Sequence, residues 1–248
     1  MIDIHTHILN EVDDGARSIN ETYIMIEKAK GAGFTDIICT PHYIEDYYNL
    51  DKLAIKKRLD EIQTNIVLHQ GNEIYISEFM TDFLEQNKAS SLAGSDYVLF
   101  ELPMDKNVIY MEDVIYSLFE NNYIPIIAHP ERYRFVQNNP NFVYDLVEKG
   151  VLFQSNYGSI IGQYGQNAQK TLQKLLKAKL IHFLGSDAHR EYSAYDNMKK
   201  ILNELSKFIT YDEINQLTTI NPMAILENRK IDIPTPERIK SSFLKKFF

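Results

Sequence analysis

Seven short apolar runs punctuate this chain: MIDIH, DIICT, NIVLHQG, YVLFEL, IPIIAH, VLFQS and IHFLGSD. They are rich in Ile, Val and Leu, as strands buried on both faces are. Between them lie amphipathic stretches. INETYIMIEKAKGAG sets Ile24, Ile26 and Ala29 near helical spacing and ends in glycine. NVIYMEDVIYSLFENN, NPNFVYDLVEKG and NAQKTLQKLLKAK behave likewise. Strand–helix alternation implies a parallel sheet with crossover helices. Seven strands without a linker favour a closed or nearly closed β/α barrel. A doubly wound open sheet is the alternative, weakened because no Gly-x-Gly-x-x-Gly follows a strand.

The bulk properties remove other classes. A net charge of −8 and no long basic stripe argue against nucleic-acid binding. Cys39 is the single cysteine, so neither an internal disulfide nor a cysteine zinc cluster can form, which suits a reducing cytoplasm. The first residues lack the pattern of a signal peptide, and no apolar run approaches the ~20 residues of a membrane helix.

Ionisable residues gather at the strand ends. His5 and His7 share one face of the first strand, because strand side chains alternate with period two. TPHY supplies His42, GNEIY supplies Glu73, and FELP supplies Glu101. AHPERY supplies His129 and Arg132, and GSDAH supplies Asp187 and His189. All the runs except VLFQS end this way, and a parallel barrel gathers the carboxyl ends of its strands into one cleft. His69 and His182 fall inside strands, where a structural role is expected. Asp13 and Asp14 fit a polar turn, since DDG is turn chemistry. Imidazole and carboxylate without thiolate suit Mn²⁺, Zn²⁺ or Fe²⁺. The candidate ligands are too many for one ion and would serve two or three.

Together, DIHTHIL…DDG, TPHY, GNEIY, FELP, AHPERY and GSDAH resemble the polymerase-and-histidinol-phosphatase (PHP) superfamily. Within it they look most like the CpsB/YwqE-type bacterial tyrosine-protein phosphatases of capsule and exopolysaccharide operons. The likeness runs from residue 1 to about residue 226. It implies a distorted seven-stranded β/α barrel with a trinuclear site, often manganese. By position, His5, His7, Glu73 and Asp187 would hold the first metal. Glu73 would bridge to the second, completed by Glu101 and His129. Asp14, His42 and His189 would hold the third. Arg132 matches an arginine assigned to the substrate phosphate or leaving group. Relatives often carry two further arginines where this chain has Gln163 and Ala194, and Arg190 is the nearest substitute.

The implied reaction is hydrolysis of a phosphate monoester by water that a divalent ion acidifies. The implied substrate is a phosphotyrosine protein, a membrane-associated tyrosine kinase being the expected partner, and the enzyme would work in the cytoplasm or at the inner face of the membrane. Cysteine-based chemistry is set aside, because it needs an arginine six positions after the cysteine and Glu45 stands there. The rivals are a phosphatase for a small monoester such as histidinol phosphate, a non-catalytic metal-binding regulator of the kinase, and a metal-dependent amide hydrolase. A phosphatase domain over residues 1–230 is expected, followed by a basic, Phe-rich tail over 231–248 that could dock on a membrane or partner.

Overall fold

The computed structural model describes residues 1–240. Every expected strand region contains a strand, but the count differs. The strands are β1 (Ile2–Thr6), β2 (Asp36–Cys39), β3 (His42–Tyr43), β4 (Val67–Gln70), β5 (Glu73–Tyr75), β6 (Tyr97–Glu101), β7 (Ile124–Ala128), β8 (Leu152–Asn156) and β9 (Phe183–Gly185). All ladders are parallel, in a three-stranded sheet of order β1-β2-β4 and a six-stranded sheet of order β3-β5-β6-β7-β8-β9.

Two expected strands are therefore split, and both breaks have a local cause. Pro41, between β2 and β3, has no N–H to give to a ladder. Between β4 and β5 the Asn72 side chain takes over the pairing, donating to Pro41 O at 2.9 Å and accepting from Ser90 N at 2.9 Å. Gly71 permits the close approach there, since a Cβ would lie 2.9 Å from Leu92 Cδ2. The chain just past β9 returns to β1. Asp187 N donates to His5 O and His7 N donates to Ala188 O, both at 2.9 Å. The carboxyl ends of β1, β3, β5, β6, β7, β8 and β9 thus curl around one space.

Helices cover the outside: α1 (Ile19–Gly31), α2 (Lys52–Asp60), α3 (Met80–Glu85), α4 (Met111–Glu120), α5 (Arg134–Asn138), α6 (Asn141–Val147), α7 (Gly165–Lys177), α8 (Met198–Leu205), α9 (Tyr211–Asn215) and α10 (Asn221–Leu226). The Ser18 side chain caps α1 by accepting from Glu21 N, and Lys28 and Lys30 sit in its last turn, opposite the negative end of the helix dipole. Its buried face is Thr22, Met25, Ile26 and Ala29, one residue around from the expected Ile24 face. In α7, Leu172, Leu175 and Leu176 are buried in the main hydrophobic core, and each such side chain contributes about 1.5–3 kcal/mol.

Residues 231–240 of the expected tail form an extended strap. Glu237 N donates to Ala178 O at 2.8 Å, and Ile239 exchanges two hydrogen bonds of 2.9 Å with the Asn141 side chain. Phe243, Lys245, Lys246, Phe247 and Phe248 lie outside the described residues. Among the described residues no helix is long and apolar enough to cross a membrane.

Candidate metal centre

The curled sheet brings together all nine expected ligand residues. The Nε2 atoms of His5 and His7 lie 3.2 Å apart. Glu73 Oε2 stands 3.2 and 3.3 Å from them, and Asp187 Oδ1 stands 3.5 Å from both. Four donor atoms at such spacings surround a point about 2 Å from each, the length of a bond from imidazole or carboxylate to a divalent transition metal. A second group gathers His7, Asp14, His42 and His189, and a third gathers His42, Glu73 and Glu101; within each, the ligand atoms lie within 4.8 Å of one another. The groups interlock through His7, His42 and Glu73. His129 lies outside all three but reaches Glu73 Oε1 at 2.9 Å and Glu101 Oε2 at 3.8 Å. Glu73 thus turns one oxygen to His5 and His7 and the other to His129.

The electrostatics suit cations. Burial opposes charge on His5, but Glu73 and Asp187 outweigh it and raise the pKa. The same contest, decided by Asp13 and Glu73, raises His7 well above its ordinary value. Two imidazole nitrogens 3.2 Å apart cannot both point a proton at each other, whereas one cation between them serves both. Burial, with Glu73 and Asp187 adding repulsion, pushes Glu101 up to about 9. Burial pushes His129 down to about 4, and Arg132 adds to this. His42 Nδ1 is buried without a hydrogen bond, although it lies 3.1 Å from Glu73 Oε2 and 3.4 Å from Glu101 Oε1. A nitrogen that converges on carboxylates without hydrogen-bonding to them fits a shared ion.

The outer nitrogens are braced. His5 Nδ1 meets Gln154 Oε1 at 2.7 Å, His7 Nδ1 meets Asp13 Oδ2 at 2.7 Å, and His189 Nδ1 meets Asp187 O at 3.0 Å. Donation outward from Nδ1 leaves the Nε2 lone pair facing inward, as metal-binding histidines require. His129 (φ 33°) and Asp187 (φ 51°) adopt left-handed backbone, a strain of about 1–3 kcal/mol each that redirects the chain at two strand ends.

Residues 1–227 match the family described as capsular polysaccharide synthesis, CpsB/CapC. The chain belongs to the CpsB/CapC family. It is 35% identical to the tyrosine-protein phosphatase YwqE of Bacillus subtilis over 100% of both chains. It is 26% identical to the tyrosine-protein phosphatase CpsB of Streptococcus pneumoniae, covering 93% of this chain and 100% of the relative. Its fold matches a chain from the crystal structures of YwqE and CpsB, described as unique metal-dependent tyrosine phosphatases. The TM-score is 0.88 at 34% identity, over 97% of this chain and 100% of that one.

In this CpsB/CapC-family chain, Arg132 stands beside the centre. Its Nη1 donates to Asp187 Oδ2 at 2.7 Å, and its guanidinium lies 4.6 Å from the centre of the Tyr164 ring. Arg190 is placed otherwise than expected for a substrate contact. Its Nη1 donates to the carbonyls of Asp14, Gly15 and His189, bracing the loop that carries Asp14. Gln163 is exposed and Ala194 is buried.

Sequence reading missed three supporting residues. Asp13, taken there as turn chemistry, has a fully buried side chain; besides His7 it accepts from His42 N at 2.9 Å and Gly15 N at 2.8 Å. Gln154 and Asn156 come from VLFQSN, the run without an ionisable end. Asn156 Nδ2 donates to Asp187 Oδ2 at 2.7 Å, and Gln154 Nε2 donates to Asn156 Oδ1 at 3.0 Å. Their signal was the same i, i+2 spacing that marks His5 and His7. His69 and His182 have structural surroundings: His69 pairs with Asp36 at 3.0 Å, and His182 Nδ1 accepts from Phe153 N at 3.1 Å. Cys39 is wholly buried in β2, and burial pushes its thiol pKa up, away from thiolate chemistry.

Proposed function

We propose that this chain is a metal-dependent phosphoesterase that hydrolyses protein phosphotyrosine, on a tyrosine kinase controlling capsule or exopolysaccharide synthesis. The observation that carries the reading is the convergence of five imidazoles and four carboxylates, in a chain similar throughout to a metal-dependent tyrosine phosphatase. His5, His7, Glu73 and Asp187 would hold one ion. Glu73, Glu101 and His129 would hold a second, and Asp14, His42 and His189 a third. Manganese is the ion we expect, with iron or zinc as alternatives. Counting β2 with β3 and β4 with β5 as interrupted strands reads the fold as a distorted seven-stranded PHP barrel.

Divalent ions held there would acidify water into a nucleophile at neutral pH and offset the charge of the phosphate. The chain's own groups do the rest. Asp13 and Gln154 keep His7 and His5 aimed inward. Arg132, fixed by Asp187 and Tyr164, presents a planar charged donor to the phosphate oxygens. A phenolate leaves readily, since the tyrosine hydroxyl has a pKa of about 10, so no protein acid is required to protonate it.

The test combines elemental analysis with turnover of a phosphotyrosine peptide beside histidinol phosphate. We expect two to three divalent ions, preference for the peptide, inactivation by EDTA and recovery with Mn²⁺. Preference for histidinol phosphate would favour the small-monoester reading. A fully metal-loaded protein that hydrolyses neither would favour the regulator reading. We further place the protein at the inner face of the membrane, with the tail as its docking element. Deleting residues 241–248 should weaken action on a membrane-associated kinase more than on the peptide, and equal effects would refute the docking role.

A further inference from the structure

The rim of the centre is polar on most sides. Asp14, His189 and Arg132 are its partly exposed members. On the His42 side it turns aromatic. The Tyr48 ring stacks on the His42 ring, with centroids 6.1 Å apart and planes 12° apart. Tyr47 packs against Tyr48 in a T-shaped pair at 4.5 Å and is 72% exposed. A tight turn holds both. Ile44 N donates to Tyr48 O at 2.7 Å, Tyr48 N donates to Ile44 O at 2.9 Å, and Asp46 supplies a left-handed residue at φ 65°.

Two other tyrosines touch the centre, and neither is as free to meet a substrate. Tyr133 packs against His129 and is fully buried. Tyr164 has the Arg132 guanidinium over its ring. Tyr48 is half-buried, and among the described residues no cation lies over its face.

We propose that Tyr48, backed by Tyr47, is the specificity-determining wall that receives the aryl group of the substrate. The inference rests on the phosphatase reading and adds to it the residues that choose an aryl over an alkyl ester. A phosphate bound at the metal centre must send its ester substituent across the rim. An aryl ring gains contact area and an edge or offset stack beside Tyr48, which a short alkyl chain cannot match. The pinned turn makes this surface rigid, so little conformational entropy is lost when the ring arrives.

The test uses the Mn²⁺-loaded enzyme and two anions, phenylphosphonate and inorganic phosphate, measured by calorimetry and as inhibitors. In Tyr48→Ala, phenylphosphonate should bind about two- to tenfold more weakly, the range of an aromatic pair. Phosphate binding and metal content should stay as in the parent. The ratio of kcat/KM for a phosphotyrosine peptide over a phosphoserine peptide should fall by a similar factor, through KM. Tyr48→Phe should restore the ratio, and Tyr116→Ala, an exposed tyrosine on α4, should not change it.

Equal weakening of both anions, or loss of metal, would mean that Tyr48 only props His42 and would overturn the proposal. Unchanged phenylphosphonate binding would overturn it too. If the parent turns over no phosphate ester, the phosphatase reading falls, while the ratio of the two anion affinities still decides the role of the wall.

Discussion

Asp13 offers the sharpest perturbation, because its three hydrogen bonds all serve the centre. His7 Nδ1, His42 N and Gly15 N all converge on this one buried carboxylate. Burial opposes its charge, but His7 leads the groups that hold its pKa down to about 2, from an ordinary 3.8. At about 1.4 kcal/mol per unit, that shift is worth roughly 2.5 kcal/mol in metal-free protein. The sign follows from the depression: the stability is present above the unfolded pKa near 4 and is lost as pH falls through about 2. Asp13→Asn keeps the shape and removes the charge. At pH 7 it should lower the melting temperature of the metal-free protein by about 5–10 °C, at ~2–4 °C per kcal/mol for a domain of this size. It should also weaken metal binding by about 10–100-fold, the usual cost of losing a group that orients a histidine ligand. Calorimetric melting and Mn²⁺ or Zn²⁺ titration read the two effects. A variant that melts with the parent and binds metal as tightly would refute the reasoning.

Arg132→Ala should leave metal content unchanged, because Asp187 Oδ2 keeps Asn156 Nδ2 at 2.7 Å. Steady-state kinetics should show kcat/KM on a phosphotyrosine peptide falling about ten- to several-hundred-fold, the value of a charge-assisted contact. His182 has its pKa pushed by burial down to about 3, so its contribution to stability is complete above the unfolded value of 6.5 and is lost as pH falls toward 3. His182→Gln should flatten the pH dependence of the urea midpoint across that window, by on the order of 4 kcal/mol in total. A thiol-alkylating reagent should leave the native enzyme active, since Cys39 is buried and its thiol is held protonated; rapid inactivation with loss of one thiol would contradict this.

Short-range rules made much of this protein legible in its sequence. Period-two alternation places His5 and His7 on one face, and a parallel sheet gathers strand ends at one rim, so eight of the nine candidate ligands could be named from pattern alone, and Asp14, which reads as a turn residue, only from the family resemblance. Other features depended on contacts that no local pattern encodes. Gln154 braces His5 across 149 residues, and Asn156 reaches Asp187 across 31. Asp13 reads as an ordinary turn residue until the fold buries it between His7 and His42 N. Arg190 was expected to face the substrate, but the loop carrying Asp14 offers it two carbonyls and its own neighbour His189 a third. The splitting of two strands into four follows from Pro41 and from the Asn72 side chain replacing ladder bonds, a competition settled only where the neighbouring chain lies. The residue types suited to hold a cation are a property of the sequence. The aim of each nitrogen and oxygen is a property of the tertiary structure, because it depends on which buried partner takes the other end of the side chain.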